Sequence, residues 1–419
     1  MAEITQLSES DLNPIYKRQY LKLQNNMFST YGNVWGMLRK TYGKSGDELK
    51  GPIQTTFGGG VGSSSDGTLP YANLEAYLDP TYEWSRVYAN IKLDGLAMAA
   101  AMKSEGAFIN LTDKSTINKM ISFNRYLGGC VLFNDGSGTL GQFSGNAAGT
   151  AAAPVLTILD TKASTHDVYR KGYWEKGDAV NVNQLSSVWE ITAVDHSTKA
   201  ITLSRVSGSD DLTSIGVGTH TVYMQNSRNN DPYGFKGIID GTTHYGVAQE
   251  YRYQPTEVDA SDAALEDEML IEMIEKNQED TDEYFDTIVM PPLQYRKYLA
   301  LQEDKKRIPV RMTRKPGRTN IGSEKALAKV SYNGIAVAAG DKDIMIVKNK
   351  YVQDDRIYAF NSKRVEVVAV GNKPGFQARD GKVFLRLDGK DAYGAFLAFY
   401  GEIIINPFYV GAILNLATS

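Results

Sequence analysis

Only one cysteine, Cys130, occurs in 419 residues, so no disulfide can form within the chain. Its neighbours from Leu127 to Phe133 are apolar or glycine, and it reads as a small core residue. The four histidines, His166, His196, His220 and His244, show no i,i+4 pair and no cysteine partner, which leaves no zinc signature. They read as surface or turn residues. A basic excess is missing too: the net charge is −4 and the sequence pI about 5.7, which excludes a dedicated nucleic-acid binder and restricts any DNA contact to a local patch. No run approaches the roughly 18 apolar residues of a membrane span, and the longest candidate, Leu96 to Met102, is short and alanine-rich. Met1 to Tyr20 has no apolar h-region, so a secretory signal is not expected and the chain is expected to be made and folded in a cytoplasm.

Catalytic signatures are equally scarce. Gly58-Gly59-Gly60-Val61-Gly62 is glycine-rich, but no Gly-Lys-Ser/Thr follows it and no strand-to-helix switch frames it. No Gly-x-Ser-x-Gly elbow occurs. Asp262, Glu266, Asp267, Glu268 and Glu272 cluster on a helix that keeps its apolar stripe, so they read as a solvated acidic face. No catalytic, cofactor-binding or metal-binding residue is nominated. The chain is not expected to be an enzyme.

What the sequence does hold is length for several domains, 25 tyrosines, and a definite order of segments. Residues 1–50 read as an arm with aromatics spread through it. Residues 51–95 read as a long β-hairpin: Ile53 to Phe57 is the first strand, Gly58 to Gly67 a flexible tip, and Tyr82 to Leu93 the returning strand. Its flanks carry Phe57, Tyr71, Leu74, Tyr77, Tyr82 and Trp84 with little nearby sequence to cover them, which makes these six the candidates for contact with another subunit. From about 112 to 133 the period is helical, with a stripe of Ile117, Met120, Ile121, Asn124, Leu127 and Val131. Gly128-Gly129 costs that helix about 1 kcal/mol per glycine and permits close backbone approach. Asn134 to Gly138 is a turn that stops it.

The low-complexity segment 139–153 reads as a linker that closes a domain spanning 96–153. Residues 154–224 read as a small all-β unit inserted in a larger domain, with a hairpin turning at Asp195 to Lys199. From 225 to 370 the pattern is α+β: a helix capped by Ser261 or Asp262, a short strand at Asp286 to Val289, a helix opened by Pro291-Pro292, then further strands. Residues 371–419 supply closing strands. Between the two halves of the α+β part lie Lys305, Lys306, Arg307, Arg311, Arg314, Lys315 and Arg318. This basic stretch is a solvated loop, a contact for an acidic face of a neighbouring subunit, or a local DNA-facing patch.

The order of these segments resembles that of the major capsid proteins of tailed bacteriophages, whose fold is shared by encapsulins and the herpesvirus capsid floor domain. The local text agrees. Val87-Tyr88-Ala89-Asn90-Ile91-Lys92-Leu93-Asp94-Gly95, followed by Glu105 to Phe108, is similar to the strand leading from the family's extended loop toward its spine helix. Phe133 to Gly138 is similar to the turn that ends that helix, and Asp231 to Ile238 to the re-entry into the apical domain. Gly381 to Leu387, Ala392-Tyr393 and Asn406-Pro407 resemble the closing strands. The resemblance implies an α+β capsid fold with N-terminal arm, extended loop, spine helix, peripheral and apical domains, here with an inserted all-β domain. It further implies hexamers and pentamers in an icosahedral head around double-stranded DNA, partnership with scaffold and portal proteins, no cofactor, and a place in the virion. An encapsulin-type shell and a non-enzymatic oligomeric surface-binding protein remain the alternative readings.

Overall fold

The computed structural model describes residues 33–418 except 72–73, 97–110, 161–168, 184, 251–252, 282, 306–334, 340–341, 372–373, 377–382, 384, 388 and 390. It divides into two compact units. The larger takes 32–87, 125–374 and 399–419; the smaller takes the rest. The fold is mixed α and β, as the sequence pattern predicts.

The arm segment 1–50 is described only from Asn33. A short helix, α1 (Asn33–Met37), leads to strands β1 (Arg39–Lys44) and β2 (Glu48–Lys50). β3 (Ile53–Thr56) follows, and β4 (Ala76–Leu78) pairs with it antiparallel; β5 (Thr81–Glu83) likewise pairs with β2. The hairpin is therefore built from 48–56 and 76–83. The expected return strand, Tyr82 to Leu93, is a different element: β6 (Ser85–Asp94) leaves the hairpin altogether. Strong alternation over those ten residues marks a half-buried strand, but alternation does not name its partner.

Helix α2 (Leu111–Arg125) passes into a π-helical stretch, Tyr126–Val131, whose residues are all buried. The expected apolar stripe is buried only at this end. Leu127 and Val131 are core, whereas Ile117, Met120 and Asn124 are exposed. The glycine pair earns its place by close approach: a Cβ on Gly129 would sit 2.6 Å from the Tyr351 ring.

The expected linker, 139–153, is not one. It forms strands β7 (Thr139–Ser144) and β8 (Ala148–Thr150), and β9 (Ala153–Thr157) turns back from β8. With β10 (Ala179–Val182), β11 (Val188–Asp195), β12 (Ala200–Ser207) and β13 (Thr219–Met224) they make one seven-stranded sheet in the order β7-β13-β10-β11-β12-β9-β8. A bridge between Phe143 and Ile158, and the Leu159 N–H donating to the Gln142 carbonyl (2.7 Å), bring the two ends of the sheet together into a barrel. Small residues hid β7 and β8 from a reading that looks for branched and aromatic runs. The β11–β12 turn is set by Asp195, whose carboxylate accepts from the Ser197 N–H (2.8 Å) and from the Ser197 and Thr198 hydroxyls. His220 faces the barrel interior against Phe143 and is buried, contrary to the surface reading.

The chain leaves the barrel beside the point where it entered: the Asn229 N–H donates to the Ser137 carbonyl (2.9 Å). Helix α3 (Phe235–Asp240), the two-residue strands β14 (Thr243–His244) and β15 (Val247–Ala248), and β16 (Thr256–Asp259) follow. His244 is fully buried between Tyr233 and Tyr253, again against expectation. Ser261 and Asp262 do not cap a helix. Both have positive φ (49° and 66°) in a turn, and α4 (Asp267–Thr281) starts later. β17 (Thr287–Met290) and α5 (Pro292–Lys305) match their sequence signals.

The remaining strands are β18 (Ile335–Ala339), β19 (Lys342–Lys348), β20 (Ile357–Phe360), β21 (Glu366–Val370), β22 (Gly375–Phe376), β23 (Leu385–Arg386), β24 (Ala392–Ile404) and β25 (Val410–Leu414). A mixed sheet in the order β16-β25-β20-β17-β19-β18 is the centre of the larger unit. Leu270, Met273 and Ile274 of α4 and Tyr298 of α5 pack on Ile288, Ile346, Ile357 and Ile413 of this sheet. Phe360 of the same sheet meets Phe235, which stacks on Phe133 (5.7 Å). The second half of β24 pairs with β21, and β21 with β1. Within the smaller unit, the first half of β24 pairs with β22 and β23. β24 runs unbroken for 13 residues. Gly401, which could have divided it, instead lets β21 come close, since a Cβ there would meet the Val368 carbonyl at 2.1 Å.

Candidate assembly surface

The six aromatic and aliphatic candidates of the hairpin separate into two groups. Phe57, Tyr71, Leu74 and Tyr77 are 82%, 87%, 87% and 58% exposed, whereas Tyr82 is 3% exposed. Tyr82 is thus no contact candidate but part of the root. Its ring lies 4.5 Å from that of Tyr245, and its hydroxyl donates to Asn406 Oδ1 (3.3 Å). Trp84 is half-buried and donates from Nε1 to the Gly46 carbonyl (2.8 Å), so it too belongs to the root. The sequence gives no means of knowing that Tyr245 and Asn406, far along the chain, would receive these two rings.

Two exposed apolar residues of the tip were missed, Val61 and Leu69. Val61 is hidden among glycines and Leu69 precedes Pro70, so neither belongs to a readable period. The tip forms no strand between Phe57 and Glu75 among the described residues. One local turn organises it. The Asp66 carboxylate accepts from the Ser64 hydroxyl (2.5 Å) and the Thr68 N–H (3.1 Å), bonds that lower its pKa to about 2. Charge on the hairpin is one-sided: 51–85 has no lysine or arginine, and Lys50 at its base sits near Glu48 (3.5 Å) and Asp79 (3.7 Å).

The root is held by more than rings. The Thr81 N–H donates to the Tyr245 carbonyl (3.0 Å). The Tyr245 hydroxyl donates to the Ile403 carbonyl (2.8 Å) and accepts from the Ile405 N–H (3.1 Å). Ser85 donates from Oγ to Glu402 Oε2 (3.0 Å). An exposed apolar tip on a tightly fixed root is an arrangement that can carry contacts outward without disturbing its own domain.

Of the basic candidates, Lys305 ends α5, and Lys306, Arg307, Arg311, Arg314, Lys315 and Arg318 lie outside the described residues. The acidic candidates are placed as a solvated face: Glu268 and Glu272 are exposed on α4, Asp262 and Glu266 are exposed ahead of it, and Asp267 is partly covered.

No protein-family model and no curated protein sequence matches the chain. Solved structures do. The cyanophage A-1(L) capsid aligns over 98% of this chain and 100% of its own, with a TM-score of 0.59 at 8% identity. A chain of Microbacterium phage Oxtober96 aligns over 98% and 99% (TM-score 0.47, 10% identity). The SrpI encapsulin complex of Synechococcus elongatus PCC 7942 aligns over 99% and 98% (TM-score 0.47, 8% identity). The alignment with the cyanophage chain runs over nearly the whole length of both chains, and the fold of this chain is the major capsid fold of tailed phages.

Proposed function

We propose that the chain is the major capsid protein of a tailed phage, a non-enzymatic subunit that assembles into hexamers and pentamers of an icosahedral head around double-stranded DNA. The observation that carries this is the hairpin: Phe57, Leu69, Tyr71 and Leu74 stand exposed on an arm whose root is locked into a capsid fold. Soluble subunits seldom leave such a surface bare, and a neighbouring copy is the partner a closed shell supplies. In this reading 1–47 is the N-terminal arm, 48–83 the extended loop, α2 and its π-helical end the spine, the barrel an insertion, and 225–370 the apical domain. Scaffold and portal proteins would be its partners, and the virion its place. The basic stretch 305–318 would face an acidic neighbour or DNA; changing Arg311, Arg314 and Lys315 to Gln would then alter either the salt dependence of assembly or the retention of DNA. If neither changes, it is a solvated loop.

Electron microscopy of the purified protein tests the function. Closed shells containing both hexamers and pentamers are expected. Small uniform cages would favour the encapsulin-type alternative, and the absence of cages under all assembly conditions would leave the surface-binding reading.

A further inference from the structure

β1 is the last strand of its sheet. It pairs parallel with β21 on one side, and among the described residues nothing pairs with its other edge. Such an edge carries a row of unanswered N–H and C=O groups. Its sequence, Arg39-Lys40-Thr41-Tyr42-Gly43-Lys44, holds three cations and no acid. Arg39 has a partner in Glu366 (3.6 Å). Lys40 and Lys44 are exposed, and Tyr42 is 38% exposed. Alternation puts Lys40 and Tyr42 on one face of the strand. At Gly43 (φ 82°) β1 carries an extra residue against β21, and this bulge leaves Lys44 beyond the kink.

Lysines commonly guard an open edge. Two copies of β1 brought together would set like charges side by side, so this edge rejects its own twin. It does not reject a strand that brings carboxylates, and the hairpin has one. β4 pairs with β3 alone in a two-stranded sheet, so its other edge is open among the described residues. Two strands by themselves are marginal, and a third stabilises them. In Glu75-Ala76-Tyr77-Leu78-Asp79 the first, third and fifth residues alternate onto one face, and all three are exposed. The Tyr77 hydroxyl donates to Glu75 Oε2 (2.5 Å), and Asp79 lies 3.7 Å from Lys50 at the hairpin base.

The two edges match. With Tyr77 opposite Tyr42, a carboxylate falls opposite Lys40 whichever way β4 runs: Asp79 if antiparallel, Glu75 if parallel. Aromatic pairs and opposite-charge pairs placed directly across from each other stabilise neighbouring strands. Within one chain β1 and β4 belong to separate sheets, so the match is made between two copies.

We infer that β4 of one copy's hairpin adds to the open edge of β1 in the next, seating Tyr77 beside Tyr42 and a hairpin carboxylate beside Lys40. This rests on the reading of the chain as a shell subunit, and it names the surface that receives the hairpin. The contact is head-to-tail: each copy gives one strand edge and takes one, as a closed ring requires.

Charge exchange tests it. Lys40→Glu with Lys44→Glu should lower the yield of sedimenting shells about tenfold or more, and so should Glu75→Lys with Asp79→Lys. The four changes together restore opposite charges and should bring the yield back to nearly that of the unaltered protein. Full yield from either pair alone, or no recovery in the combined variant, overturns the pairing and leaves the shell reading standing. Tyr42→Cys with Tyr77→Cys reads the contact itself. Oxidised shells of this variant should give a ladder of multiples on a non-reducing gel, absent from either single variant; Cys130 is buried and adds no links. Monomer alone from those shells overturns the pairing. If the unaltered protein forms no shells, the shell reading fails, and the same cysteine pair decides the edge contact in concentrated subunit: disulfide-linked dimers uphold it and monomer alone overturns it.

Discussion

At the scale of single residues, the sequence was read best where a side chain decides its own environment. Cys130 was expected in the core and is there, 1% exposed, with its thiol pushed up to about 12 by burial. His220 and His244 were misread, because a histidine's burial depends on which rings the fold brings to it. His244 has consequences for stability. Burial lowers its pKa to about 4, below the ordinary 6.5, so the folded form refuses a proton that the unfolded form accepts. Its contribution is complete above pH 6.5 and is lost as pH falls toward 4. Denaturant titrations at pH 7 and 4.5 should show a steeper loss in wild type than in His244→Gln; parallel losses would show that His244 has no part in it. Gly234 makes the other residue-scale case. A Cβ there would lie 2.4 Å from the Val131 carbonyl, 2.5 Å from that of Asn134 and 2.7 Å from that of Leu132. All three are backbone atoms at the end of the π-helix, so Gly234→Ala should cost about 1–3 kcal/mol or more in urea unfolding. A change under about 0.5 kcal/mol would mean that this junction gives way easily.

At the scale of elements, periodicity found strands and helices but not their partners. β10, β11, β12 and β17 lie within a residue or two of where their branched residues place them. The second hairpin arm was assigned to the longer alternating run, and the true arm, 76–83, was passed over because Asp79-Pro80 interrupts it. The boundary of the β unit was misplaced for a related reason, since glycine- and alanine-rich strands resemble linkers. That error predicts two different outcomes. Excising 154–224 should fail to give a folded remainder, because it strips β7 and β8 of their neighbours. Excising 139–225 removes the sheet whole, between chain ends that already lie side by side. It also leaves Arg125 without its ion pair to Asp178, so it should be combined with Arg125→Leu. Cooperative thermal unfolding of the second variant alone is the expected calorimetric result; the reverse would place the barrel inside the core. Shortening the tip, 58–67, to a two-residue turn should leave unfolding of the subunit unchanged yet stop closed shells in the electron microscope. Shells of normal size from that variant would take the tip out of assembly.

At the scale of the whole molecule, the order of segments was legible before any contact was, because architecture is written in the succession of patterns. What lay beyond the sequence was the set of long-range pairings, such as Tyr82 with Tyr245 and Ser85 with Glu402, which join residues more than 150 positions apart. Some proteins of this fold class join a lysine of the extended loop to an asparagine of a neighbouring subunit. Here 51–85 has no lysine, and Lys50, at the base of the loop, sits near Glu48 and Asp79, so the tip offers no such amine. Shells boiled in detergent should run as monomer on a gel, and a ladder of multiples would show a cross-link formed elsewhere. The barrel has a consequence at this scale too. In a shell, identical surfaces are held side by side at very high local concentration, and any open strand edge would meet its own twin hundreds of times over. The bridge from Phe143 to Ile158 draws the two ends of the sheet together, and the edge left over, β8, is three residues long and bent by a positive φ at Gly149. A unit of this kind can be crowded without seeding fibres.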